Sequence, residues 1–335
     1  MERKIKLGII GSGLAARILH LPALKELTNK FEITAVCNHT EKKAREFSGL
    51  VGGVKYYLDY QELLNDNNVE AVDITLPIDL NYKVTIDSLK AGKHVFLEKP
   101  LAGSMTEAKK MLDLKSKYKK QVMLLAENFR YRKVYNTTHN LLEKKSIGKV
   151  YAAQWNVFYN VSSEKDYGAT KWRQKHKYAG GFMLDAGVHN IAALRMLFGE
   201  VKSVAAFTDC INPAIGKPDT MSVQLRFRSG VQVIYNLFFT VKNHWENKLL
   251  IFGDEGTLEA NDDKLVMKFS DSSPEVFYCA DQGGYDVEFL DFYKAIVTGS
   301  KVRSTFFDGY KDMQVVFAAL KSADTNKVVS IQSKS

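Results

Sequence analysis

Apolar residues in the first third of the chain form short unbroken runs, separated by segments with helical spacing. The segments between the runs, such as TEKKAREFSGL and SMTEAKKMLDLKSKYKK, alternate apolar and charged positions in the manner of amphipathic helices. The runs themselves are KIKLGII (4–10), FEITAVC (31–37), AVDITL (71–76), HVFLE (94–98) and VMLLAE (122–127). Strands that lack polar alternation are buried on both faces, so this order of strand and helix predicts a doubly wound parallel sheet.

The pattern changes after about residue 128. One helical segment leads into long strand-like runs, among them KVYAAQWNVFYN and MSVQLRFRSGVQVIYNLFFT, and two further helical segments close the chain. RSG at 228–230 and GDEG at 253–256 are hairpin-type turns, which favours a largely antiparallel sheet. We therefore predict an α/β protein with two domains, residues 1–127 and 128–335, a division that also suits a chain of 335 residues.

Composition and charge narrow the classes of partner. The content of 45% hydrophobic and 25% charged residues is that of a globular protein, and no stretch approaches the roughly 18 apolar residues of a membrane span. With no run long enough for a membrane span and only a short apolar run before the first glycines, we expect a cytoplasmic protein. The three cysteines are far apart without C-x-x-C spacing, which indicates reduced thiols and no metal site. The net charge of +9 is spread over helical segments and no nucleic-acid motif is present, so we expect a small-molecule partner, with anionic compounds left open, and no nucleic acid.

A glycine-rich turn follows the first apolar run. GSGLAA has the form G-x-G-x-x-A, in which Gly11 allows a tight turn, Gly13 lets the backbone approach a pyrophosphate and Ala16 lets the helix pack closely. Because it ends a strand and opens a helix, dinucleotide binding is the better interpretation, although an ordinary strand-to-helix turn is the alternative. The predicted cofactor-binding residues of this loop are Gly11, Ser12, Gly13, Leu14, Ala15 and Ala16.

The residues after the second run bear on which dinucleotide is preferred. An acid at this point would bond the ribose 2′-hydroxyl of NAD, but Asn38 stands there, with His39, Thr40 and Lys43 following. These residues favour NADP. NAD stays possible because Glu41 could reach the ribose.

An acid and an imidazole lie four residues apart in the largely apolar segment GGFMLDAGVHN (180–190). On a helix this spacing places Asp185 and His189 on one face, where they could bond each other or face one cleft. A structural pair and a functional pair both fit the residues alone.

The segment LEKPL (97–101) delivers Glu98, Lys99 and Pro100 to the carboxyl edge of the predicted sheet, where open α/β sheets bind ligands. With GSGLAA before it and D-x-x-x-H after it, nearly the whole chain resembles the glucose-fructose oxidoreductase and inositol dehydrogenase family, Gfo/Idh/MocA. The resemblance implies an N-terminal Rossmann domain, a C-terminal α/β domain with a large open, mostly antiparallel sheet, and an active site between them. It also implies homodimers or homotetramers formed through the sheet, for which the apolar run VQVIYNLFFT is suited.

The same resemblance implies roles for three residues. It places Lys99 beside the nicotinamide and the reacting oxygen, with Asp185 and His189 lining the same site. An imidazole can exchange a hydroxyl proton near neutral pH, and an ammonium can stabilise an alkoxide. We therefore predict that Lys99, Asp185 and His189 are catalytic and contact the substrate.

Further contact candidates come from segments where the family binds its ligands. Those for the cofactor are Leu76, Pro77, Glu98 and Lys99. Those for the substrate are Arg130, Trp172 and Arg173, each of which could equally be a surface or interface residue. Two departures from the family pattern, Ala192 in place of an acid and Asn81 in place of a histidine, leave the substrate open.

These residues favour an NAD(P)-dependent oxidoreductase that transfers a hydride between nicotinamide and a hydroxyl or carbonyl carbon of a sugar, polyol or related small molecule. One alternative is an enzyme that uses bound cofactor in a transient redox cycle for net glycoside hydrolysis or elimination. Another is a non-catalytic NADP-binding sensor, which would have no need of Lys99, Asp185 and His189.

Overall fold

A computed structural model of the chain describes residues 3–332 and divides them into two compact units. The first unit consists of the described residues up to Asn128 together with Gly284–Tyr310. The second consists of Phe129–Gly283 and the described residues from Lys311 onward. Each unit contains its own sheet. The predicted domain boundary at residues 127 and 128 stays a prediction.

The sheet of the first unit is parallel and has six strands in the described part of the chain. Its strands are β1 (Ile5–Ile10), β2 (Phe31–Cys37), β3 (Lys55–Tyr57), β4 (Ala71–Ile74), β5 (His94–Glu98) and β6 (Met123–Ala126). They lie in the order 3-2-1-4-5-6, which reverses between β1 and β4 at the point where such sheets bind dinucleotides. The doubly wound parallel sheet predicted from the sequence is confirmed.

The sheet of the second unit has nine strands within residues 129–332. Its strands are β7 (Val150–Phe158), β8 (Val201–Asp209), β9 (Thr220–Phe227), β10 (Gln232–Phe238), β11 (Glu246–Gly253), β12 (Thr257–Ala260), β13 (Lys264–Lys268), β14 (Glu275–Tyr278) and β15 (Val329–Ser330). They lie in the order 14-13-12-11-7-10-9-8-15, and among the strand pairs of these described residues only β7 with β10 is parallel. The predicted hairpins at 228–230 and 253–256 join β9 to β10 and β11 to β12, so the mostly antiparallel sheet is confirmed.

Helices connect the strands of both units. A π-helical turn, Ala16–His20, precedes α1, and 3-10 turns cover Ile78–Leu80, Asn128–Arg130, Asp166–Ala169 and Pro213–Ile215. The α-helices of the described chain are α1 (Leu21–Glu26), α2 (Glu41–Leu50), α3 (Tyr60–Leu64), α4 (Asn81–Lys90), α5 (Met105–Leu112), α6 (Leu114–Lys117), α7 (Lys133–Glu143), α8 (Lys171–Gln174), α9 (Gly181–Asp185), α10 (Gly187–Phe198), α11 (Tyr285–Thr298) and α12 (Phe306–Thr325).

Aromatic packing explains why α11 belongs to the first unit. Phe289 of α11 is fully buried and stacks on Phe96 of β5, with ring centroids 4.1 Å apart. It also meets Phe31 of β2 edge to face at 5.8 Å. Burial of one aromatic side chain contributes about 2 kcal/mol or more, so these contacts tie the late helix to the early sheet.

The two faces of the second sheet differ. On one face the buried ring of Tyr235 donates its hydroxyl to Asn190 of α10 at 2.9 Å, which attaches that helix to the sheet. On the opposite face Ile234 and Phe207 are 45% and 72% exposed, and Phe158 stacks on Phe238 at 5.1 Å. This second face therefore presents apolar and aromatic side chains on the surface of the second unit.

Candidate active site

The turn between β1 and the first helix has the shape that a pyrophosphate requires. Gly11 has a φ of +102°, and a Cβ there would lie 2.5 Å from the carbonyl oxygen of Thr75, so only glycine is accommodated. A Cβ on Gly13 would meet no atom of the described residues within 4 Å. The helix after this turn begins with the hydrogen bond from the Arg17 main-chain N–H to Gly13 O, at 3.1 Å. The exposed backbone at Gly13 and this helix N-terminus fit a dinucleotide phosphate.

The residues predicted to contact the ribose lie directly after β2. The amide nitrogen of Asn38 donates to Ser12 Oγ at 2.9 Å, and Asn38 Oδ1 accepts from the Thr40 main-chain N–H at 2.9 Å. His39 and Lys43 are exposed beside them. The structure thus brings the turn after β2 into contact with the phosphate loop, as a dinucleotide site requires.

The cofactor candidates from β4 and β5 lie at one edge of the first sheet. Leu76 and Pro77 follow the end of β4, and Lys99 follows the end of β5 at Glu98. The two strands pair in parallel, with Ile74 beside Leu97, so both segments leave the sheet at its carboxyl edge. Leu76, Pro77 and Lys99 are half-buried there.

A buried cluster of charged side chains lies behind Lys99. His20 Nδ1 is 2.8 Å from Asp73 Oδ2, and His20 Nε2 is 3.0 Å from Glu98 Oε1. Burial alone would lower the pKa of His20, but the charge and hydrogen bond of Asp73, and then those of Glu98, raise that pKa well above its ordinary value. Burial also raises the pKa of Asp73, while the charge of His20 lowers it. With both carboxyl groups ionised, the two ring nitrogens of His20 donate to them and the ring is an imidazolium. Burial raises the pKa of the neighbouring Glu288 carboxyl well above its ordinary value, which keeps that group neutral.

In the second unit, three of the predicted substrate residues come together. Asp185, at the end of α9, accepts a hydrogen bond from Arg173 Nε at 2.6 Å, and the two side chains are 7% and 12% exposed. The Arg173 guanidinium lies 4.0 Å from the Trp172 ring centroid and 4.7 Å from that of Tyr167. The pair is therefore an almost buried, charge-assisted bond flanked by aromatic rings.

His189 lies in the first turn of α10 and is half-buried. The segment 181–198 is not one regular helix, because α9 ends at Asp185 and α10 begins at Gly187. The His189 ring stacks on Phe129 with centroids 4.8 Å apart and an angle of 22° between the planes. Asp185 forms an ion pair with Arg173, and the joint role of Asp185 and His189 stays a prediction.

Arg130 is the remaining predicted substrate residue, and the structure places it in a buried ion-pair network. Its Nη2 donates to Asp312 Oδ1 and Oδ2 at 3.0 and 2.8 Å, and Asp312 also accepts from Arg195. Arg195 in turn pairs with Glu200 at 2.5 Å. A guanidinium held at both carboxylate oxygens supports a role in fixing the second unit, and substrate contact by Arg130 stays a prediction.

Comparison with known proteins assigns both halves of the chain to one family. Residues 5–126 match a model described as an oxidoreductase family with an NAD-binding Rossmann fold, and residues 135–259 match the GFO/IDH/MocA C-terminal domain. The chain belongs to the Gfo/Idh/MocA oxidoreductase family. It is accordingly an NAD-binding oxidoreductase of the dehydrogenase and reductase class.

Relatives of this Gfo/Idh/MocA protein match along its whole length. The uncharacterized protein YMR315W of Saccharomyces cerevisiae is 31% identical, covering 96% of this chain and 97% of its own. The inositol 2-dehydrogenase of Salmonella typhimurium is 25% identical, covering 98% of each chain. The crystal structure of an oxidoreductase from Thermotoga maritima has a TM-score of 0.92 and 34% identity over 98% of each chain. Levoglucosan dehydrogenase, solved with NADH and levoglucosan, has a TM-score of 0.90 at 22% identity over 98% of this chain and 100% of its own, a likeness of fold.

Arg17 is a residue of this Gfo/Idh/MocA site that the sequence patterns did not single out. Its Nε donates to the carbonyl oxygen of Ser12 at 3.0 Å, and its guanidinium lies 5.4 Å from the Phe47 ring centroid. Nη2 is 3.6 Å from Glu46 Oε2. Arg17 follows Ala16 directly, and a basic residue so close to the G-x-G-x-x-A loop is the signal that could have identified it. It places a permanent cation next to Ser12, the residue whose hydroxyl accepts from Asn38.

Across residues 3–332, none of the helices of this Gfo/Idh/MocA protein is both long enough and apolar enough to cross a membrane.

Proposed function

We propose that this protein transfers a hydride between a nicotinamide cofactor and a hydroxyl or carbonyl carbon of a sugar, polyol or related small molecule. The observation that carries the proposal is that Arg173 orients the almost buried carboxylate of Asp185, four residues before His189. The relatives of this chain include an inositol 2-dehydrogenase. A carboxylate that a guanidinium holds in one orientation is suited to accept a hydrogen bond from a polar ligand.

Each of three residues then has a chemical task. In the oxidative direction the hydroxyl proton must leave the substrate, and the half-buried His189 imidazole accepts it, with its ring plane held by Phe129. The Lys99 ammonium stabilises the negative charge that develops on the oxygen. Asp185, fixed by Arg173, orients the substrate by accepting from a hydroxyl group. The cofactor, when bound, supplies the hydride acceptor.

The cofactor we propose is NADP(H) in preference to NAD(H). An acid that would bond the ribose 2′-hydroxyl is replaced by Asn38, which is bonded to Ser12. Glu41, the acid that could have substituted for it, pairs with Arg45 at 2.7 Å. Arg17, whose contact with Glu46 is the longer one at 3.6 Å, adds a cation that a 2′-phosphate would favour over a hydroxyl. The NADH in the levoglucosan dehydrogenase structure belongs to that protein, so both cofactors enter the test.

We further propose that a second copy of the chain covers the exposed face of the second sheet. That face carries Phe207 and Ile234, 72% and 45% exposed, with the stacked pair Phe158 and Phe238 between strands β7 and β10. Large apolar and aromatic side chains exposed on one face of a sheet are typical of self-association surfaces, most simply in a two-fold dimer.

The function is tested by screening purified protein against sugars, polyols, sugar phosphates and dicarbonyls with NAD(H) and NADP(H), while following the absorbance of the reduced nicotinamide. A stoichiometric absorbance change with substrate supports the proposal. Product formation without a net absorbance change would instead support the transient redox cycle, and the absence of turnover with every compound would contradict the proposed activity.

A further inference from the structure

Asn81 has a structural task that its position in the sequence does not reveal. It is the first residue of α4 and is 1% exposed. Its Nδ2 donates to the main-chain carbonyl oxygens of Glu98 at 3.2 Å and of Pro100 at 2.8 Å. These are the residues immediately before and after Lys99, so one amide group holds the chain on both sides of the proposed catalytic lysine.

The orientation of the Asn81 amide follows from the chemistry of its partners. Carbonyl oxygens only accept hydrogen bonds, so the nitrogen of Asn81 must face Glu98 and Pro100. Its Oδ1 is then buried without a hydrogen-bond partner among residues 3–332. A buried acceptor in that state destabilises a fold, and an apolar side chain would avoid the cost. The amide is therefore better explained by what it holds than by core packing.

Glu98 is restrained from a second direction. Its side chain accepts from His20 Nε2 at 3.0 Å, and Asp73 on the neighbouring strand holds the other ring nitrogen of His20 at 2.8 Å. The segment Glu98–Pro100 is thus tied by its main chain to α4 and by a side chain to the buried cluster. The main-chain tie acts closest to Lys99, because the Glu98 carbonyl belongs to the peptide group that joins Glu98 to Lys99, and the Pro100 carbonyl follows one residue after Lys99.

We propose that Asn81 is a positioning residue for Lys99, which fixes the direction in which the lysine side chain leaves the sheet edge. The inference rests on the proposed function of Lys99 and deepens it. Displacing a reacting group by about 1 Å can lower a rate by about 100-fold, so loss of a two-point restraint is sufficient to affect turnover.

Two variants and one control test this role. Asn81→Asp keeps the size of the side chain but presents oxygen to both carbonyls, so it removes both bonds and adds repulsion. Asn81→His offers a single ring N–H and should restore part of the restraint. Thr85→Val is the control, because Thr85 lies one turn further along α4, is fully buried, and has a hydroxyl without a partner in the described chain.

The first measurement is the reactivity of Lys99 itself. Trace acetylation with acetic anhydride, followed by mass spectrometry, gives the labelling rate of Lys99 relative to exposed Lys42 in the same molecule. We expect a change of about threefold or more in Asn81→Asp, a smaller change in Asn81→His and none in Thr85→Val, since displacing the chain alters the exposure of the amine. This measurement requires neither a substrate nor turnover, so it is independent of the proposed activity.

The second measurement is turnover of myo-inositol, or of the first substrate found in the screen, with NAD⁺ and NADP⁺. We expect kcat to fall about tenfold or more in Asn81→Asp, with KM for the cofactor within about threefold of wild type, and partial recovery in Asn81→His. If Lys99 labelling in every soluble Asn81 variant equals that in Thr85→Val, the positioning role is wrong, whatever turnover does. If labelling changes but wild type turns over no compound, the proposed function fails and the restraint on Lys99 stands.

Discussion

Replacing Glu288 by glutamine should change how the stability of the protein depends on pH. Glu288 in α11 is fully buried, and neither of its carboxyl oxygens has a hydrogen-bond partner among the described residues. Burial raises its pKa well above the ordinary 4.5, with the charges of Glu98 and Glu127 acting in the same direction and His20 opposing them. The folded protein therefore keeps a proton that the unfolded chain releases near pH 4.5.

Linkage gives the direction and size of the effect. A group with a raised folded pKa contributes its full stability below the unfolded pKa, and that stability is lost as the pH rises toward the folded pKa. For one proton the loss is about 1.4 kcal/mol for each pH unit between the unfolded and the folded pKa, so wild-type Glu288 should lose stability as the pH rises from 5.5 to 7.5. Glu288→Gln removes this titration while keeping a neutral side chain of nearly the same shape, so its stability relative to wild type should rise by that amount.

The measurement is urea unfolding of wild type and Glu288→Gln at pH 5.5 and 7.5, with melting temperatures as a second readout. The gap in melting temperature should widen between the two pH values by roughly 2–4 °C for each kcal/mol of that loss, for a unit of this size. Glu32→Gln, which removes an exposed carboxylate of β2 in the same unit, controls for the loss of one acid. A stability difference between Glu288→Gln and wild type that is the same at both pH values would refute the reasoning.

The remaining predictions concern the site and the assembly. His189→Ala and Lys99→Met should each lower turnover by about 100-fold or more while His189→Ala leaves cofactor affinity unchanged, and a destabilised His189→Ala with normal turnover would overturn its assignment. Asp185→Asn should lower turnover less and also lower the melting temperature, because it weakens the almost buried bond to Arg173; calorimetry alongside kinetics separates the two effects. Fluorescence titration should show tighter binding of NADP(H) than of NAD(H), with Asn38→Asp shifting the preference toward NAD. Equal or weaker binding of NADP(H) by the wild type would contradict the proposed preference. Light scattering at micromolar concentration should show a dimer or larger assembly, and a monomer alone would disprove the proposed use of the exposed sheet face.

Local patterns were enough to predict much of the first sheet. Strands β2 and β5 occupy the residues predicted for them, Phe31–Cys37 and His94–Glu98, because strands buried on both faces read as unbroken apolar runs. Strand β3, Lys55–Tyr57, was missed, since it has three residues at the sheet edge and two of them are exposed. A short edge strand forms only when a neighbouring strand offers its hydrogen bonds, which no local pattern records.

The candidate site divides in the same way. The geometry at Gly11 and Gly13 follows from a few consecutive residues, so the phosphate loop and the family could be predicted from the sequence alone. The ion pair of Asp185 with Arg173 could not, because Arg173 lies on a separate helix, 12 positions away in the sequence. Neither could the bonds of Arg130 to Asp312, which join residues 182 positions apart.

The sequence by itself determined the strand and helix order, the glycine turn that can accept a dinucleotide, and the set of residue types able to exchange a proton and stabilise an alkoxide. These depend on interactions within one element or between adjacent ones. Tertiary structure decided which partner each polar side chain bonds. Asn81 bonds the main chain on both sides of Lys99, Arg17 bonds the phosphate loop, and His20 bonds two buried carboxylates. The physical reason is that a buried polar group must find a partner wherever folding brings one, and side chains far apart in sequence are brought together only by the packing of the whole unit.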